Sequence, residues 1–317
     1  MTLALSLGDP AGIGPELAVA AWRAGAGPFV VIGSAAVLEA AGAPVVRVAH
    51  VDASAWPERL PVIDIPLPAP VVPGTPDPAN APAVIESIAR GAALAQSGEA
   101  SALVTAPISK KVLKDGGGFA HPGHTEFLAH LSGAPRPVMM LAGPDLRVVP
   151  VTIHIPLADV PEALTPQLLD ETIRVTEAGL RRDFGLDRPR LAIAGLNPHA
   201  GEGGVMGRQE IEVIAPVLAR LRAEGFDLTD PLPADTMFHA AARSRYDAAI
   251  CMYHDQALIP LKTLSFDDGV NVTLGLPFVR TSPDHGTAFD IAGRGIARPD
   301  SLIAAIRLAQ EMAERRG

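Results

Sequence analysis

Three histidines follow apolar segments of the chain and are the residues best suited to metal chemistry. His154 comes after VVPVTI, His199 lies in LNPHAGEGG after LAIAGL, and His254 lies in YHDQ after DAAICM. Each apolar segment is typical of a buried strand, and ligands of open α/β sheets bind beyond the carboxyl ends of strands. Three converging imidazoles would suit a catalytic divalent metal ion, whereas one histidine alone is more often a hydrogen-bonding residue. Asp255 could orient the ring of His254 or accept a proton.

A second group of polar residues has the chemistry of an anion site. His124 and Thr125, in HPGHTEFLA, lie just before or at the start of a predicted helix, where backbone N–H groups are free to bind an anion. Lys262, Asn271 and Arg280 follow one another at intervals of nine residues. We interpret them as the polar residues of an apolar strand that forms a phosphate or carboxylate pocket. Ordinary surface polarity is the alternative.

A glycine-rich segment, GDPAGIGPE, follows the first predicted strand and opens a helix. Its glycines would let the backbone approach a ligand closely, and the helix N-terminus beyond them would attract anionic groups. The Rossmann pattern G-x-G-x-x-G is absent from this segment. A plain tight turn is the alternative interpretation.

The elements that must position these residues alternate between strands and helices. The predicted strands, rich in Val and Ile, are residues 2–7, 28–33, 44–51, 101–106, 147–153, 188–196 and 246–253. Amphipathic segments between them predict an α/β fold with helices on both faces of the sheet. Thr165 and Pro166 open a helix that ends near Phe184, and Asp300 caps the final helix. The Pro-rich residues 57–82 predict a loop, or an interdomain linker, before a helix at 83–96.

Length, charge and cysteine content limit the class of protein. The chain has 317 residues and a net charge of -9, which predicts two domains or one large one and argues against a nucleic-acid partner. No run of about 18 apolar residues is present, so we expect no membrane partner. Cys251 is the single cysteine, and the first residues lack a basic region typical of a signal peptide. These features predict a cytoplasmic location.

Taken together, these segments resemble the 4-hydroxythreonine-4-phosphate dehydrogenase family, NAD-dependent enzymes of pyridoxal 5'-phosphate biosynthesis. The matching segments are GDPAGIGPE, VTAPISK, GHTEFLA, LNPHAGEGG, PADTMF, YHDQALIPLK, GVNVTLGLPFVRTSPDHGTAFDIAG and GIARPDSLIAAIRLA. The resemblance implies a two-domain fold similar to isocitrate and isopropylmalate dehydrogenases, with non-Rossmann NAD binding and the active site in the interdomain cleft. It implies an NAD-binding-side domain at 1–118 plus 264–317. Residues 119–263 would then form the domain for metal, substrate and dimerisation.

The resemblance also implies roles for individual residues. His154, His199 and His254 carry over as ligands of one divalent metal ion, which could be zinc, magnesium or cobalt. The residues that carry over as substrate contacts are His124, Thr125, Lys262, Asn271 and Arg280. GDPAGIGPE and HGTAFDIAGRGIARP resemble the family's glycine-rich first turn and adenosine loop. The residues assigned to the dinucleotide, NAD or NADP, are Gly12, Gly14, His285, Gly286, Thr287 and Asp290. Asp235 and Asp255 are the candidate general bases, and Lys262 could return a proton.

The implied reaction oxidises the C3 hydroxyl of 4-phosphooxy-L-threonine with NAD, after which the product loses carbon dioxide to give 3-amino-2-oxopropyl phosphate. A divalent ion would suit both steps, by lowering the pKa of the hydroxyl and stabilising the enolate charge. The resemblance also implies a homodimer whose active sites draw residues from both subunits. A sibling enzyme acting on 4-phospho-D-threonate or D-erythronate would share these motifs. A three-histidine metal hydrolase or aldolase would not need the HGTAFDIAG loop, and a non-catalytic phosphate-binding protein would not need three histidines.

Overall fold

The computed structural model describes residues 1–316, which form two compact units. The first unit comprises Met1–Pro137 and the segment from Leu276 onward, and the second is Val138–Gly275. Strands and helices alternate along both units, so the predicted α/β class is confirmed. The two-unit architecture is consistent with the isocitrate/isopropylmalate dehydrogenase-like fold implied by the resemblance. Within residues 1–316, no helix combines the length and the apolar character needed to cross a bilayer.

The strands in chain order are β1 (Leu3–Ser6), β2 (Phe29–Gly33), β3 (Val45–Arg47), β4 (Leu60–Asp64), β5 (Leu103–Thr105), β6 (Val138–Ala142), β7 (Arg147–Thr152), β8 (Arg190–Ala194), β9 (Asp227–Leu232), β10 (Ala248–Tyr253), β11 (Val270–Leu274) and β12 (Arg280–Pro283). The α-helices are α1 (Gly14–Arg23), α2 (Ala35–Ala40), α3 (Ala81–Ser97), α4 (Lys110–Gly117), α5 (His124–Ser132), α6 (Val160–Ala163), α7 (Pro166–Phe184), α8 (Ala215–Ala223), α9 (Ala240–Arg243), α10 (His254–Leu264) and α11 (Asp300–Arg316). Short 3-10 helices lie at Pro78–Asn80, Leu157–Asp159, Pro198–Gly204 and Ala234–Thr236, and a π-helix lies at Glu210–Ile214.

Each unit has its own run of paired strands. In the first unit the order is β3-β4-β2-β1-β5-β12, and the pairs are parallel. In the second unit the order is β11-β6-β7-β10-β8-β9. Here β6 runs antiparallel to both of its neighbours, while β7, β10, β8 and β9 are parallel to one another. The carboxyl ends of β7, β10 and β8 therefore lie side by side.

The predicted strands are confirmed, since each contains an observed strand of the same region, but five observed strands lie outside the predicted ranges: β4, β6, β9, β11 and β12. Strand β4 lies inside the segment predicted as a loop, and that part of the prediction is wrong. Leu60, Val62 and Ile63 are buried, and β4 pairs with both β2 and β3. The sequence predicts a loop here because the prolines around this short apolar run are typical of loops.

The predicted helix signals are also confirmed. The side chain of Thr165 accepts a hydrogen bond from the N–H of Leu168 at 3.2 Å and caps α7, which ends at Gly185 in a left-handed conformation. The final helix α11 begins at Asp300, the residue predicted to cap it. Helix α3 begins two residues before the predicted start at 83 and ends one residue after the predicted end at 96.

The two compact units have limits other than the predicted domains, which were 1–118 plus 264–317 and 119–263. Helix α5 belongs to the first unit because Phe127 and Leu128 pack into the same core as Ile88 of α3. Strand β11 belongs to the second unit because it pairs with β6. The division therefore falls after Pro137 and after Gly275. The assignment of NAD binding to one domain and dimerisation to the other stays a prediction.

The central strand of the second unit generates a stability prediction. Ile250 in β10 has 0% exposure and lies opposite Val149 of β7 and Ile193 of β8. Ile250→Ala should lower the free energy of unfolding by about 3 kcal/mol, because it removes buried apolar contacts and leaves a cavity. Chemical denaturation measures this change. The control is Ile296→Ala, whose side chain is 62% exposed and should change stability by less than about 0.5 kcal/mol. Equal effects from the two variants would contradict the packing described here.

Candidate active site

Two of the predicted metal ligands, His154 and His254, lie close together in the second unit. His154 comes two residues after β7 and has a left-handed backbone (φ 54), and His254 is the first residue of α10, directly after β10. Because β7 and β10 are parallel neighbours, the two imidazole rings lie with their centroids 5.6 Å apart. Both side chains line a cavity of about 260 Å³, together with Asp255.

Asp255 contacts one nitrogen of the His254 ring. Its Oδ1 lies 2.7 Å from Nδ1 of His254, and its side chain is 69% exposed. This contact favours the tautomer with the proton on Nδ1, which leaves Nε2 as the nitrogen that can bind a metal. The position suits an orienting residue.

The third predicted ligand, His199, lies in an unusual turn after β8. His199 and the next four residues all have positive φ, with values from 42° to 78°. The His199 side chain is exposed, and the turn contacts the short helix Ala234–Thr236 that carries Asp235. Asp235 is therefore near the His199 turn, and its side chain is exposed.

The donor types suit a metal ion, but a single chain does not assemble all of them. Imidazole nitrogens are good ligands for zinc and other transition metals. Within residues 1–316 of one chain, no three His, Cys, Asp or Glu side chains are close enough to hold an ion. The structure thus brings together His154 and His254, while His199 lies in the turn that follows the adjacent parallel strand β8.

A buried arginine forms the centre of the anion-binding candidates in the first unit. Arg280, the first residue of β12, is only 3% exposed, and its Nη2 donates a hydrogen bond of 2.6 Å to Oγ1 of Thr105 at the end of β5. Burial lowers the pKa of the Arg280 guanidinium to about 10, while the nearby Glu126 carboxylate raises it. The side chain therefore stays charged at neutral pH, and a buried charge of this kind favours an anionic ligand.

His124 and Thr125 are the first two residues of α5, as predicted. Nε2 of His124 is buried and has no hydrogen-bond partner among residues 1–316. Burial holds the pKa of His124 well below 6.5, and the positive charges of Arg280 and Lys110 lower it further. His124 is thus neutral near pH 7.

Lys110 and Thr105 join this group although the sequence analysis did not select them. Lys110 begins α4, and its Nζ lies about 3.6 Å from where a Cβ on Gly123 would be, next to the start of α5. A Cβ at this distance would make ordinary van der Waals contact, so the lysine side chain packs directly against the start of α5. The motif VTAPISK contains both missed residues, and its Lys at a helix start was the available signal.

Lys262, Asn271 and Arg280 do not share one strand, so the single-strand interpretation is wrong. Lys262 lies in the last turn of α10, Asn271 lies in β11, and Arg280 begins β12. A short apolar run such as ALIPL does not distinguish a helix from a strand by periodicity, which explains the error. Oδ1 of Asn271 is buried and has no hydrogen-bond partner within residues 1–316.

The glycine-rich turn and the predicted adenosine loop are in direct contact in the first unit. The N–H of Ile13 donates to the carbonyl oxygen of Thr287 at 3.0 Å. A Cβ on Gly12 would lie 3.0 Å from that same oxygen, and one on Gly14 would lie 2.4 Å from the carbonyl oxygen of Leu7. A Cβ on Gly12 would need Thr287 to move by a few tenths of an ångström, whereas Gly14 is required by close packing. That requirement is independent of any ligand.

The remaining residues assigned to the dinucleotide lie farther along the same loop. His285, Gly286 and Asp290 are exposed, and Nδ1 of His285 lies 3.1 Å from the carbonyl oxygen of Gly286. Glu16 in α1 was not selected from the sequence, yet its carboxylate accepts the N–H groups of Gly293 and Gly295 at 3.3 and 3.1 Å. A cavity of about 1090 Å³ is lined by Gly12, Glu16, Gly293 and Gly295 among others. Of the residues assigned to the dinucleotide, Gly12 lines this cavity.

Comparison with known proteins assigns this chain to one family. Residues 26–309 match the family described as "Pyridoxal phosphate biosynthetic protein PdxA". A protein named 4-hydroxythreonine-4-phosphate dehydrogenase from Paracoccus denitrificans is 62% identical over 98% of both chains. The crystal structure of a 4-hydroxythreonine-4-phosphate dehydrogenase from Klebsiella pneumoniae is 40% identical, with a TM-score of 0.89 and coverage of 98% of this chain and 99% of that one.

A more distant solved structure carries another name. A terephthalate 1,2-cis-dihydrodioldehydrogenase from Burkholderia xenovorans is 32% identical over 98% of both chains, with a TM-score of 0.70. This fold is therefore shared by dehydrogenases named for different substrates. The match to the family covers most of the chain and includes the histidine turns, the start of α5 and β12. The chain belongs to the PdxA family of pyridoxal phosphate biosynthetic proteins.

Proposed function

We propose that the chain is an NAD-dependent dehydrogenase that oxidises 4-hydroxythreonine 4-phosphate at C3 and decarboxylates the product to 3-amino-2-oxopropyl phosphate. The reaction would serve pyridoxal 5'-phosphate biosynthesis. The observation that carries this proposal is the 62% identity, over 98% of both chains, to a relative named 4-hydroxythreonine-4-phosphate dehydrogenase. The buried, charged Arg280 supports a substrate that carries a phosphate group.

In this proposal the substrate phosphate binds at the start of α5. Arg280 supplies a guanidinium fork, and the free N–H groups of the first turn add donors. Nε2 of the neutral His124 is buried without a partner and would contact the same ligand, as would Thr125 beside it. Lys262 and Asn271 are proposed as further substrate contacts, and the unpartnered Oδ1 of Asn271 suits a donor group on the substrate.

We further propose that His154, His199 and His254 hold one divalent metal ion, and zinc or cobalt suits three imidazoles better than magnesium does. Such an ion, when bound, lowers the pKa of a hydroxyl and stabilises negative charge on oxygen. Asp255 would keep the His254 ring oriented through its contact with Nδ1. Proton transfer is then assigned to Asp235 near the His199 turn, with Lys262 returning a proton.

The dinucleotide, NAD or NADP, is proposed to bind the first unit along the contact between Gly12 and Thr287. Gly14, His285, Gly286 and Asp290 flank this contact in the chain. The carboxylate of Glu16 supports the proposal, because it holds the loop around Gly293 in place beside a cavity of about 1090 Å³. A three-histidine hydrolase or aldolase would have no use for this loop.

A homodimer with shared active sites fits the exposed surface of the second unit. Its exposed large apolar side chains are Ile155, Leu157, Val205, Met206, Ile211, Ile259, Leu264 and Phe266. Ile155 and Leu157 follow His154, and Val205 and Met206 follow the His199 turn. Large exposed apolar groups mark surfaces that contact a partner. We propose that a second copy covers them and brings its His199 to the pair formed by His154 and His254.

The decisive experiment for the activity is a coupled assay of NADH formation. With NAD and Zn²⁺ or Co²⁺, the purified protein should have a kcat/KM at least about 100-fold higher for 4-hydroxythreonine 4-phosphate than for unphosphorylated 4-hydroxythreonine. The reason is that binding of the phosphate group orients the substrate for reaction. 4-Phospho-D-threonate and D-erythronate 4-phosphate are the comparison substrates, because they test the alternative that the chain is a sibling enzyme acting on one of them. A higher kcat/KM on either of them would contradict the proposed substrate. Absence of NADH formation on all of these substrates would remove the dehydrogenase proposal.

The buried His124 makes a prediction about pH. Its folded pKa lies well below 6.5, so the unfolded chain binds the proton more readily and stability falls as pH drops below about 6.5. This contribution approaches about 1.4 kcal/mol per pH unit, the limit for one proton. Chemical denaturation of His124→Gln should therefore show a shallower loss of stability toward acid than the parent protein. The control, His50→Gln at a side chain that is 85% exposed, should keep the parent slope. Identical slopes for all three proteins would contradict the burial of His124.

A shared metal site predicts recovery of activity on mixing variants. His199→Ala and His254→Ala should each be inactive alone. An equal mixture of the two variants should regain about a quarter of the parent activity, because about half of the dimers are mixed and one of the two sites in each mixed dimer is intact. The matched control mixes His154→Ala with His254→Ala, whose rings are 5.6 Å apart in one chain, and should give no recovery. Recovery in the control alone, or in neither mixture, would contradict the sharing.

A further inference from the structure

The turn that carries His199 needs a restraint, because five consecutive residues in it are left-handed. The run begins at His199 and ends at Gly203, and three of its members are not glycine. L-residues avoid this conformation, and only surrounding contacts can hold several of them there in sequence. The contacts that hold the turn therefore decide where the His199 ring lies.

The carboxylate of Glu210 fills the inside of this turn. Glu210 is only 4% exposed, its Oε1 accepts the backbone N–H of Asn197 at 2.8 Å, and its Oε2 accepts the side-chain amide of Asn197 at 2.9 Å. A Cβ on Gly201 would lie 2.6 Å from Oε2, so the glycine makes room for the carboxylate. Glu210 begins a π-helix, an irregularity that is frequent at functional sites.

Gln256 ties the same turn to the strand that carries His254. The side chain is 9% exposed, its Nε2 donates to the carbonyl oxygen of Gly195 at 2.7 Å, and its Oε1 accepts the N–H of Met252 at 2.6 Å. Gly195 directly follows β8 and Met252 lies in β10. One side chain thus connects the strand ends that lead to His199 and to His254.

We propose that Glu210 and Gln256 are positioning residues that fix the orientation in which the His199 ring is presented. The carboxylate of Glu210 sets the left-handed turn, and the amide of Gln256 fixes the start of that turn against β10. Neither side chain touches a metal ion in this proposal, since both are engaged with backbone and Asn197 groups. The consequence for metal binding rests on the proposed function, in which His199 is a ligand.

The test compares Glu210→Gln with Glu212→Gln. Both substitutions remove a carboxylate from the same π-helical turn, but Glu212 is exposed and pairs with Arg208. In Glu210→Gln one acceptor oxygen becomes an amide that cannot accept, so amide hydrogen exchange over residues 196–205 should be about tenfold faster. The affinity for Zn²⁺, measured by titration of the metal-free protein, should fall about 10- to 100-fold, and the visible spectrum of the Co²⁺ form should change. Glu212→Gln should match the parent in all three measurements.

Two comparisons keep this proposal separate from the ligand role of His199. His199→Ala must itself weaken Zn²⁺ binding, and if it does not, the proposed metal site is wrong. If His199→Ala weakens binding while Glu210→Gln matches Glu212→Gln in exchange, affinity and spectrum, the positioning role is wrong and the metal site stands. Should Glu210→Gln not fold, Gln256→Met replaces it under the same criteria, because methionine keeps the length of the side chain and removes both hydrogen bonds.

Discussion

The parallel pairing of β10 with β7 on one side and β8 on the other is the constraint that fixes where each chain presents its three candidate ligand histidines. Side-by-side carboxyl ends bring three separate chain segments to one edge of the sheet. The hydroxyl of Thr152 donates to the carbonyl oxygen of Met252 at 2.8 Å, which adds a side-chain bond where β7 and β10 end. Because His154 and His254 follow these two strands within two residues, a shift in the strand pairing would separate their rings.

In the first unit, the corresponding constraint is the burial of a positive charge on Arg280. Arg280 donates to Thr105, a neutral hydroxyl, and Glu126 is near enough to raise its pKa without offsetting the burial. An anion stabilises a guanidinium buried in this way more than it stabilises one at the surface, because water screens the charge at the surface. The overall charge of -9 gives no hint of this local excess of positive groups, since it sums over the whole surface.

The sequence correctly predicts that each of the three histidines follows a strand, because local patterns identify strand ends, while their role as metal ligands stays a prediction. The same reasoning failed for residues whose partners are far apart in sequence. Gln256 contacts Gly195 across 61 positions, and Arg280 contacts Thr105 across 175. The prolines around β4 are typical of loops, so the sequence pattern does not predict that strand. The five apolar residues before Lys262 fit a strand as well as a helix, so their pattern does not predict the observed helix. Family resemblance supplied residue roles that spacing alone did not.

Two histidines of this chain show how environment decides the chemistry of one residue type. His124 is buried beside two cations, so it stays neutral, and its Nε2 has no hydrogen-bond partner among residues 1–316. His254 has a carboxylate on Nδ1, which fixes its tautomer and increases the electron density at the other nitrogen. Asp255 in the second unit, and Lys110 and Arg280 in the first, are therefore as much a part of their separate candidate sites as the histidines that they contact or face.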